Sequence, residues 1–312
     1  MLVDFNALEP IVYYTKSETN KLDLYYKRLN HLNKDILLKT ISNTSGLSLE
    51  NDNKELSNYE PCFIGKFYNI GSKKPMSTTP ILNVYDIDIV GPIKPLGLLR
   101  EKYFMTITDR GSRAAWVYPI KHKGDAYSVL VKFFNMIKTQ FPNTKIKALK
   151  LDNAKEFKSS KWTLFCDNNG TIYEYTSPYS APQNGIAEIL NKYIVERLIA
   201  ICKAKNIPLK LWPYLIQAII YIKNRTYNSI INKTPYEALT DKKPQIGYIK
   251  IIGSLAYILV LKETRKSSKL SEKGNKGILL GFESANNFLI YIPNKNKVIS
   301  TKNVIIKEDL IR

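Results

Sequence analysis

The sequence predicts an α/β protein in which a mixed β-sheet flanked by helices stands between a small helical unit and a β-rich C-terminal region. Three observations support this fold class. Three β-rich runs follow one another closely from residue 81, helical and extended segments then alternate as far as residue 225, and residues 247–312 are short extended runs separated by turn residues. Strands joined by short turns favour an antiparallel meander, and helices that alternate with strands favour packing on a sheet.

Residues 1–68 have the pattern of a small helical unit. Residues 22–41 show mixed helical periodicity, which Asn43-Thr44-Ser45-Gly46 interrupts. Residues 69–80 combine Gly, Ser, Lys and two prolines without periodicity, so we expect an extended basic linker there. The predicted boundaries are 1–68 for the helical unit, 69–80 for the linker, 81–243 for the core and 244–312 for the β-rich domain.

The core is predicted to open with an antiparallel meander whose three strands lie at residues 81–90, 102–108 and 114–120. A helix, a strand, a helix and a strand are predicted next, at 125–141, 146–151, 159–168 and 171–176. Asp125 is a candidate N-cap for the first of these helices. A further helix is predicted at about 210–225, followed by a loop at 226–246. The C-terminal strands, predicted at 248–261, 277–282, 287–292 and 298–307, suggest a small barrel or sandwich.

The segment that begins at Ile186 is the clearest predicted helix. Its apolar residues recur at the 3.6-residue period and define one buried face. They are Ile186, Ile189, Leu190, Tyr193, Ile194, Leu198, Ile201 and Cys202. Glu188, Asn191 and Lys192 fall outside this face. The spacing therefore lets Glu188 point into a cleft, with Lys192 one turn further on.

The chain carries a large excess of positive charge. It has 47 Lys and Arg against 27 Asp and Glu, a formal net charge of +20. This excess predicts a polyanionic partner, either nucleic acid or an anionic membrane surface. The sequence shows neither a signal-peptide pattern nor an apolar run long enough to span a membrane. With three cysteines, an odd and sparse set, it predicts an intracellular protein of a reducing compartment.

Three carboxylates stand at the ends of predicted elements. Asp88 closes the first strand, Asp152 follows the strand at 146–151, and 35 residues separate Asp152 from Glu188 at a helix start. Carboxylates gathered from two strands and a helix suit a pair of hard divalent cations, which can serve the attacking and leaving oxygens of phosphodiester transfer. Taken singly, each carboxylate is also consistent with a cap, a turn or a solvated helix face. Asp86 competes with Asp88, because alternate residues of a strand share a face.

Motifs around these carboxylates resemble the integrase of copia-type retrotransposons. The main ones are Asp88-x-x-Gly91-Pro92, Asp152-Asn153-Ala154-Lys155-Glu156-Phe157 and Ser177-Pro178-Tyr179-Ser180-Ala181-Pro182-Gln183-Asn184-Gly185-Ile186-Ala187-Glu188, and further matches occur in order over about residues 20–310. The resemblance implies a ribonuclease H-like core, an SH3-like C-terminal domain and a D,D(35)E triad of Asp88, Asp152 and Glu188. It also implies two Mg²⁺ or Mn²⁺ ions, DNA as substrate, a homo-multimer that holds two DNA ends, and residence in the nucleus.

The N-terminal unit departs from the family pattern, which binds zinc through two His and two Cys. This sequence keeps His31 and Cys62, whereas Tyr26 and Tyr59 occupy the other two positions. Because a structural zinc site needs four ligands, we expect no tight zinc binding by the remnant pair His31 and Cys62.

Several basic residues are candidate DNA contacts. Lys155, Lys192, Lys203 and the loop from Lys262 to Lys276 are predicted to contact phosphates, and Asn184 is grouped with them as a nucleic-acid-binding residue. Ile189 occupies a position where the family usually has Arg. Two alternatives to an integrase therefore remain open: a nucleic-acid-binding remnant without turnover, and a ribonuclease H-like nuclease of another type.

Overall fold

The structure is a computed structural model that describes residues 21–49, 56, 79–151, 160–175, 185–259 and 274–308. The helices in these ranges are α1 Lys21–Arg28, α2 Lys34–Ser42, α3 Ala126–Gln140, α4 Ser160–Asn168, α5 Gly185–Lys205, α6 Trp212–Asn224 and α7 Pro235–Thr240. The strands are β1 Val84–Val90, β2 Tyr103–Asp109, β3 Ala115–Ile120, β4 Ala148–Leu151, β5 Ile172–Tyr175, β6 Leu255–Leu259, β7 Gly274–Ser284, β8 Asn287–Ile292, β9 Lys297–Thr301 and β10 Val304–Lys307.

The first sheet is mixed and has the strand order β3-β2-β1-β4-β5. Strands β1, β2 and β3 form the predicted antiparallel meander. Strand β4 pairs in parallel with β1, and β5 pairs in parallel with β4, because a helix separates each of these strands from the strand before it. In the β1–β4 pair, Ile87 lies opposite Leu151. The mixed α/β core predicted from the sequence is confirmed.

Helices cover both faces of this sheet. On one face α3 and α4 bury an aromatic cluster in which the Phe133 ring lies 5.2 Å from that of Tyr85 and 5.1 Å from that of Trp116. On the other face α5 packs on β1 and β2, and α6 packs on β3. Edge-to-face aromatic contacts of this kind add to the stabilisation that burial gives. Within the described ranges no helix has the length and apolar character needed to cross a membrane.

Helix α6 also packs against β7 of the second sheet. That sheet is antiparallel, with the strand order β10-β6-β7-β8-β9. Gly281 of β7 permits the close approach, because a Cβ there would lie 3.0 Å from Cβ of Ala218 in α6. Leu215, Ile216 and Ile219 of α6 are fully buried, so the helix is apolar on nearly all sides.

Several predicted elements differ in detail. Asn30 and His31 both adopt left-handed backbone angles, with φ of 57°, and so divide the predicted helix at 22–41 into α1 and α2. The carboxylate of Asp125 accepts from the backbone N–H of His122 at 2.9 Å. It therefore closes the 3₁₀ turn before α3 instead of capping α3. The predicted strand at 298–307 is two strands, β9 and β10.

The predicted loop at 226–246 contains helix α7. The side chain of Thr234 accepts from the backbone N–H of Glu237 at 3.0 Å, and Pro235 occupies the first helical position. Both residues are strong signals for a helix start, so the sequence prediction of a loop was wrong here.

An ion-pair network joins α1 to the end of β10. The Arg28 side chain donates to both carboxylate oxygens of Glu308, Nε at 2.9 Å and Nη2 at 2.5 Å. Lys250 Nζ lies 3.6 Å from Glu308, and the backbone N–H of Ile251 donates to it at 2.8 Å. Burial alone would raise the pKa of Glu308, but Arg28, Lys250 and the Ile251 N–H hold it below its ordinary value.

This network predicts that Glu308→Gln lowers the free energy of unfolding at pH 7 by about 3 kcal/mol, because it leaves Arg28 without its buried partner. A lowered folded-state pKa stabilises the protein above the ordinary Glu pKa of 4.5. The stabilisation is lost as the pH falls through the folded-state value. Urea unfolding of both proteins between pH 7 and pH 3 should therefore show a difference that shrinks below about pH 4.5. A difference independent of pH would contradict this account.

Candidate active site

Asp88 lies near the end of β1 and is partly buried. Its Oδ1 accepts from the backbone N–H of Ile89 at 2.8 Å, and its Oδ2 accepts from Nδ2 of Asn191 at 2.6 Å. Oδ1 of Asn191 in turn accepts from the hydroxyl of Thr106 at 3.1 Å. Thr106 is the residue of β2 directly opposite Asp88. One amide side chain therefore ties α5 to both central strands at the position of Asp88.

Asp86, the alternative to Asp88, is occupied by an ion pair. Only 1% of Asp86 is exposed, and its two carboxylate oxygens accept from Nε and Nη2 of Arg110 at 2.7 and 2.6 Å. Burial raises the pKa of Asp86, and the Arg110 guanidinium opposes that rise. The Arg110 guanidinium donates to both carboxylate oxygens of Asp86, the same oxygens that would have to bind a metal ion. The described contacts thus favour Asp88 over Asp86 as a metal ligand.

Glu188 lies in the first turn of α5, and its side chain is exposed. It precedes Asn191 by three residues, and residues three apart are neighbours on a helix surface. Because Asn191 contacts Asp88, Glu188 lies on the side of α5 that faces the end of β1. A role for Glu188 beside Asp88 stays a prediction.

Asp152, the remaining predicted ligand, lies outside the described residues, as do Lys155, Asn184 and residues 262–273 of the predicted basic loop. Leu151, which precedes Asp152 in the chain, is the last described residue of β4. Among the residues that the structure describes, no three His, Cys, Asp or Glu side chains are grouped as a metal site. The triad therefore stays a prediction. Carboxylate oxygens such as those of Asp88 are suitable ligands for a hard cation.

Two of the predicted DNA-contacting residues lie along α5. Lys192 and Lys203 are both exposed on this helix, and Lys192 is one turn from Glu188. Their positions suit contact with a polyanion that approaches the candidate site. Contact with DNA itself stays a prediction.

The remnant of the zinc motif is part of the packed N-terminal helices. His31 is buried, and its ring lies edge-on to that of Tyr26 with 4.9 Å between centroids. Leu22 of α1 and Leu37 of α2 are fully buried in the same core cluster as α5 and α6. Cys62 lies outside the described residues. The absence of tight zinc binding stays a prediction.

The structure adds a contact for Asn191 of α5 and places Ile189 of the same helix differently from the prediction. Asn191, which the periodicity placed outside the buried face, forms the hydrogen bond that orients Asp88. Its position three residues after Glu188 is the one signal in the sequence that would have identified it. Ile189, which was predicted to lie on the buried face, is 68% exposed. Helical periodicity identifies a broad apolar stripe but not which residues at its margin are covered.

Two parts of the chain match known protein families. Residues 82–181 match the family described as integrase core domain, and residues 254–312 match the retroviral polymerase SH3-like domain. A solved structure, the simian T-cell lymphotropic virus intasome in complex with PP2A regulatory subunit B56 gamma, is similar with a TM-score of 0.45 and 14% identity. That similarity covers 78% of this chain and 83% of the other.

Similar sequences occur in plant transposons. The chain is 28% identical over 93% of its length to the retrovirus-related Pol polyprotein from transposon TNT 1-94 of Nicotiana tabacum. It is 26% and 27% identical over 83% of its length to those from transposons RE2 and RE1 of Arabidopsis thaliana. The chain spans 22% of the tobacco polyprotein and 17% of each Arabidopsis polyprotein. The chain therefore matches an integrase core domain and a retroviral SH3-like domain, and its homologues are Pol polyproteins from plant copia-type transposons.

Proposed function

We propose that this chain is a metal-dependent polynucleotidyl transferase that joins the ends of retrotransposon DNA to a target duplex. The observation that carries the proposal is the 2.6 Å hydrogen bond from Asn191 to Asp88, which links the helix that bears Glu188 to β1. The sheet register adds support, because Ile87 and Leu151, which pair across β1 and β4, immediately precede Asp88 and Asp152. The core domain would span residues 81–243, between a helical unit at 1–68 and a β-rich domain at 244–312.

In this proposal Asp88, Asp152 and Glu188 would hold two Mg²⁺ or Mn²⁺ ions. The ions would supply positive charge to the attacking and leaving oxygens of an in-line phosphodiester transfer. Asn191 keeps the Asp88 carboxylate in one orientation. Lys155, Lys192, Lys203 and Asn184 would hold DNA near the carboxylates, in a nuclear homo-multimer that brings two DNA ends together.

A strand-transfer assay with the full chain, Mg²⁺ and DNA ends tests this function. The wild-type protein is expected to join ends to a target, whereas Asp152→Asn is expected to bind DNA without joining it. The nucleic-acid-binding remnant is the second candidate, favoured by the Tyr residues at two zinc-ligand positions. A wild-type protein that shifts DNA on a gel but does not join it would support the hypothesis of a nucleic-acid-binding remnant without turnover. Preferential cleavage of an RNA–DNA hybrid would instead identify a ribonuclease H-like nuclease.

Asn191→Ala is expected to slow joining by about tenfold to a hundredfold, because a hydrogen bond to a charged group contributes about 1.5–3 kcal/mol. DNA affinity should change little, because no charge is removed. Single-turnover joining rates and gel-shift affinities measure the two effects. Asn135→Ala, an exposed position on α3, is the matched control and should retain the wild-type rate. An equal decrease in joining rate for Asn191→Ala and Asn135→Ala would contradict the proposal that Asn191 orients Asp88.

A further inference from the structure

A pocket of about 290 Å³ lies between α2, β2, α5, α6 and the chain that follows α6. Its walls are largely apolar, with Ile36 of α2 and Ile186 and Leu190 of α5 among the lining side chains. Ile189 lies at the mouth and is 68% exposed. An apolar cavity of about 150 Å³ is enough to hold benzene, so this pocket has room for a larger apolar body.

Buried polar atoms of three lining residues have no hydrogen-bond partner among the described groups. They are the hydroxyl oxygen of Thr108 and the Nε atoms of Arg113 and Arg197. Thr108, Arg113 and Arg197 are each more than nine-tenths buried. An enclosed polar group without a partner is destabilising, and more so when the group is charged. A ligand with acceptor oxygens would satisfy these three atoms.

The lining is also cationic. It contains Arg113, Arg197 and Lys223, and none of its described residues is Asp or Glu. The guanidinium of Arg197 is stacked on the Tyr193 ring, with its central carbon 3.4 Å from the ring centroid, so its planar face is fixed. The pKa of Lys223 is lowered to about 7, mainly by burial and also by the nearby Arg113, while Asp109 opposes the shift. A bound anion would restore favourable charge balance to this group of cations.

We propose that this pocket binds a small amphiphilic carboxylate, with the carboxylate at Arg113, Arg197 and the Thr108 hydroxyl and the apolar body between α2 and α5. A carboxylate matches the fork of a guanidinium and accepts from a hydroxyl as well. The apolar walls favour a ligand with a hydrocarbon body over a bare inorganic anion. The site is separate from the proposed chemistry of Asp88, although both sites use α5.

Octanoate is a suitable probe, measured by isothermal titration calorimetry on the full chain. Saturable binding is expected for octanoate. Octanol shares the body but not the charge, and should bind at least about tenfold more weakly, since charge-assisted hydrogen bonds contribute about 1.5–3 kcal/mol. Inorganic phosphate at the same concentration should give no saturable heat.

Ile189→Glu is the decisive variant, because it places a carboxylate at the mouth of the pocket without disturbing a buried position. It should weaken octanoate binding by about fivefold or more, since the new carboxylate repels the carboxylate of the ligand. Val195→Glu, on the same helix and 38% exposed, is the matched control and should bind as the wild type does. Wild-type protein without saturable octanoate binding, octanol binding as tightly as octanoate, or equal affinity in the two Glu variants would each overturn the proposal.

Discussion

Replacing Asp88 with Asn is expected to reduce the rate of DNA joining by about 10³-fold while the protein stays folded. Asn has nearly the same shape as Asp but carries no negative charge, so it would hold a divalent cation poorly. The metal site is expected to contribute several kcal/mol of transition-state stabilisation, and each 1.36 kcal/mol corresponds to a factor of ten. Single-turnover joining with Mg²⁺ measures the loss directly.

The control for this prediction is Asp167→Asn, which makes the same chemical change at an exposed position of α4. Its joining rate should equal that of the wild type, and both variants should bind DNA with wild-type affinity or slightly more tightly. An Asp88→Asn protein that joins DNA at the wild-type rate would refute the assignment. If Asp88→Asn is active but a folded Asp86→Asn protein is inactive in the same experiment, Asp86 is the metal ligand instead.

Arg110→Met is expected to lower the free energy of unfolding by about 3–5 kcal/mol, because it removes one partner of a buried ion pair. The carboxylate of Asp86 would remain enclosed, since its side chain has no exposed surface, and it would lose two hydrogen bonds of 2.7 and 2.6 Å. Urea unfolding at pH 7, followed by circular dichroism, measures the change.

The double variant Asp86→Leu, Arg110→Met tests whether the loss comes from the unpaired charge. Replacing both members of a buried ion pair with apolar side chains is often neutral or stabilising. The double variant should therefore recover most of the stability that Arg110→Met loses. A double variant as unstable as the single one would show that Arg110 stabilises the protein through other contacts.

The sequence predicted the architecture well because hydrophobic periodicity reports burial directly. The meander, the alternation of α3, β4, α4 and β5, and the long helix α5 all follow from the spacing of apolar residues. Short elements were harder to predict. Helix α7 has only six residues, too few for a periodic signal, and only Thr234 and Pro235 mark its start.

The candidate site was predictable only in part. The pattern of carboxylates predicted a site at Asp88, Asp152 and Glu188, and the elements that carry Asp88 and Glu188 contact each other, but the role of these residues stays a prediction. It did not identify the Asn191 contact or the pairing of Asp86 with Arg110, because each depends on how two separate elements meet. Local sequence patterns give the face of a helix or strand, but tertiary packing decides which residues of two faces touch.

The position of α6 between the two sheets has a consequence for how the chain can be divided. Nearly every side chain of this helix is covered, in part by β3 and in part by β7, so neither sheet has a hydrophobic interior of its own on that side. Truncation before the second sheet would expose a large apolar patch of α6 to solvent, and the shortened protein should aggregate. The intact chain should instead melt in a single cooperative transition that involves both sheets.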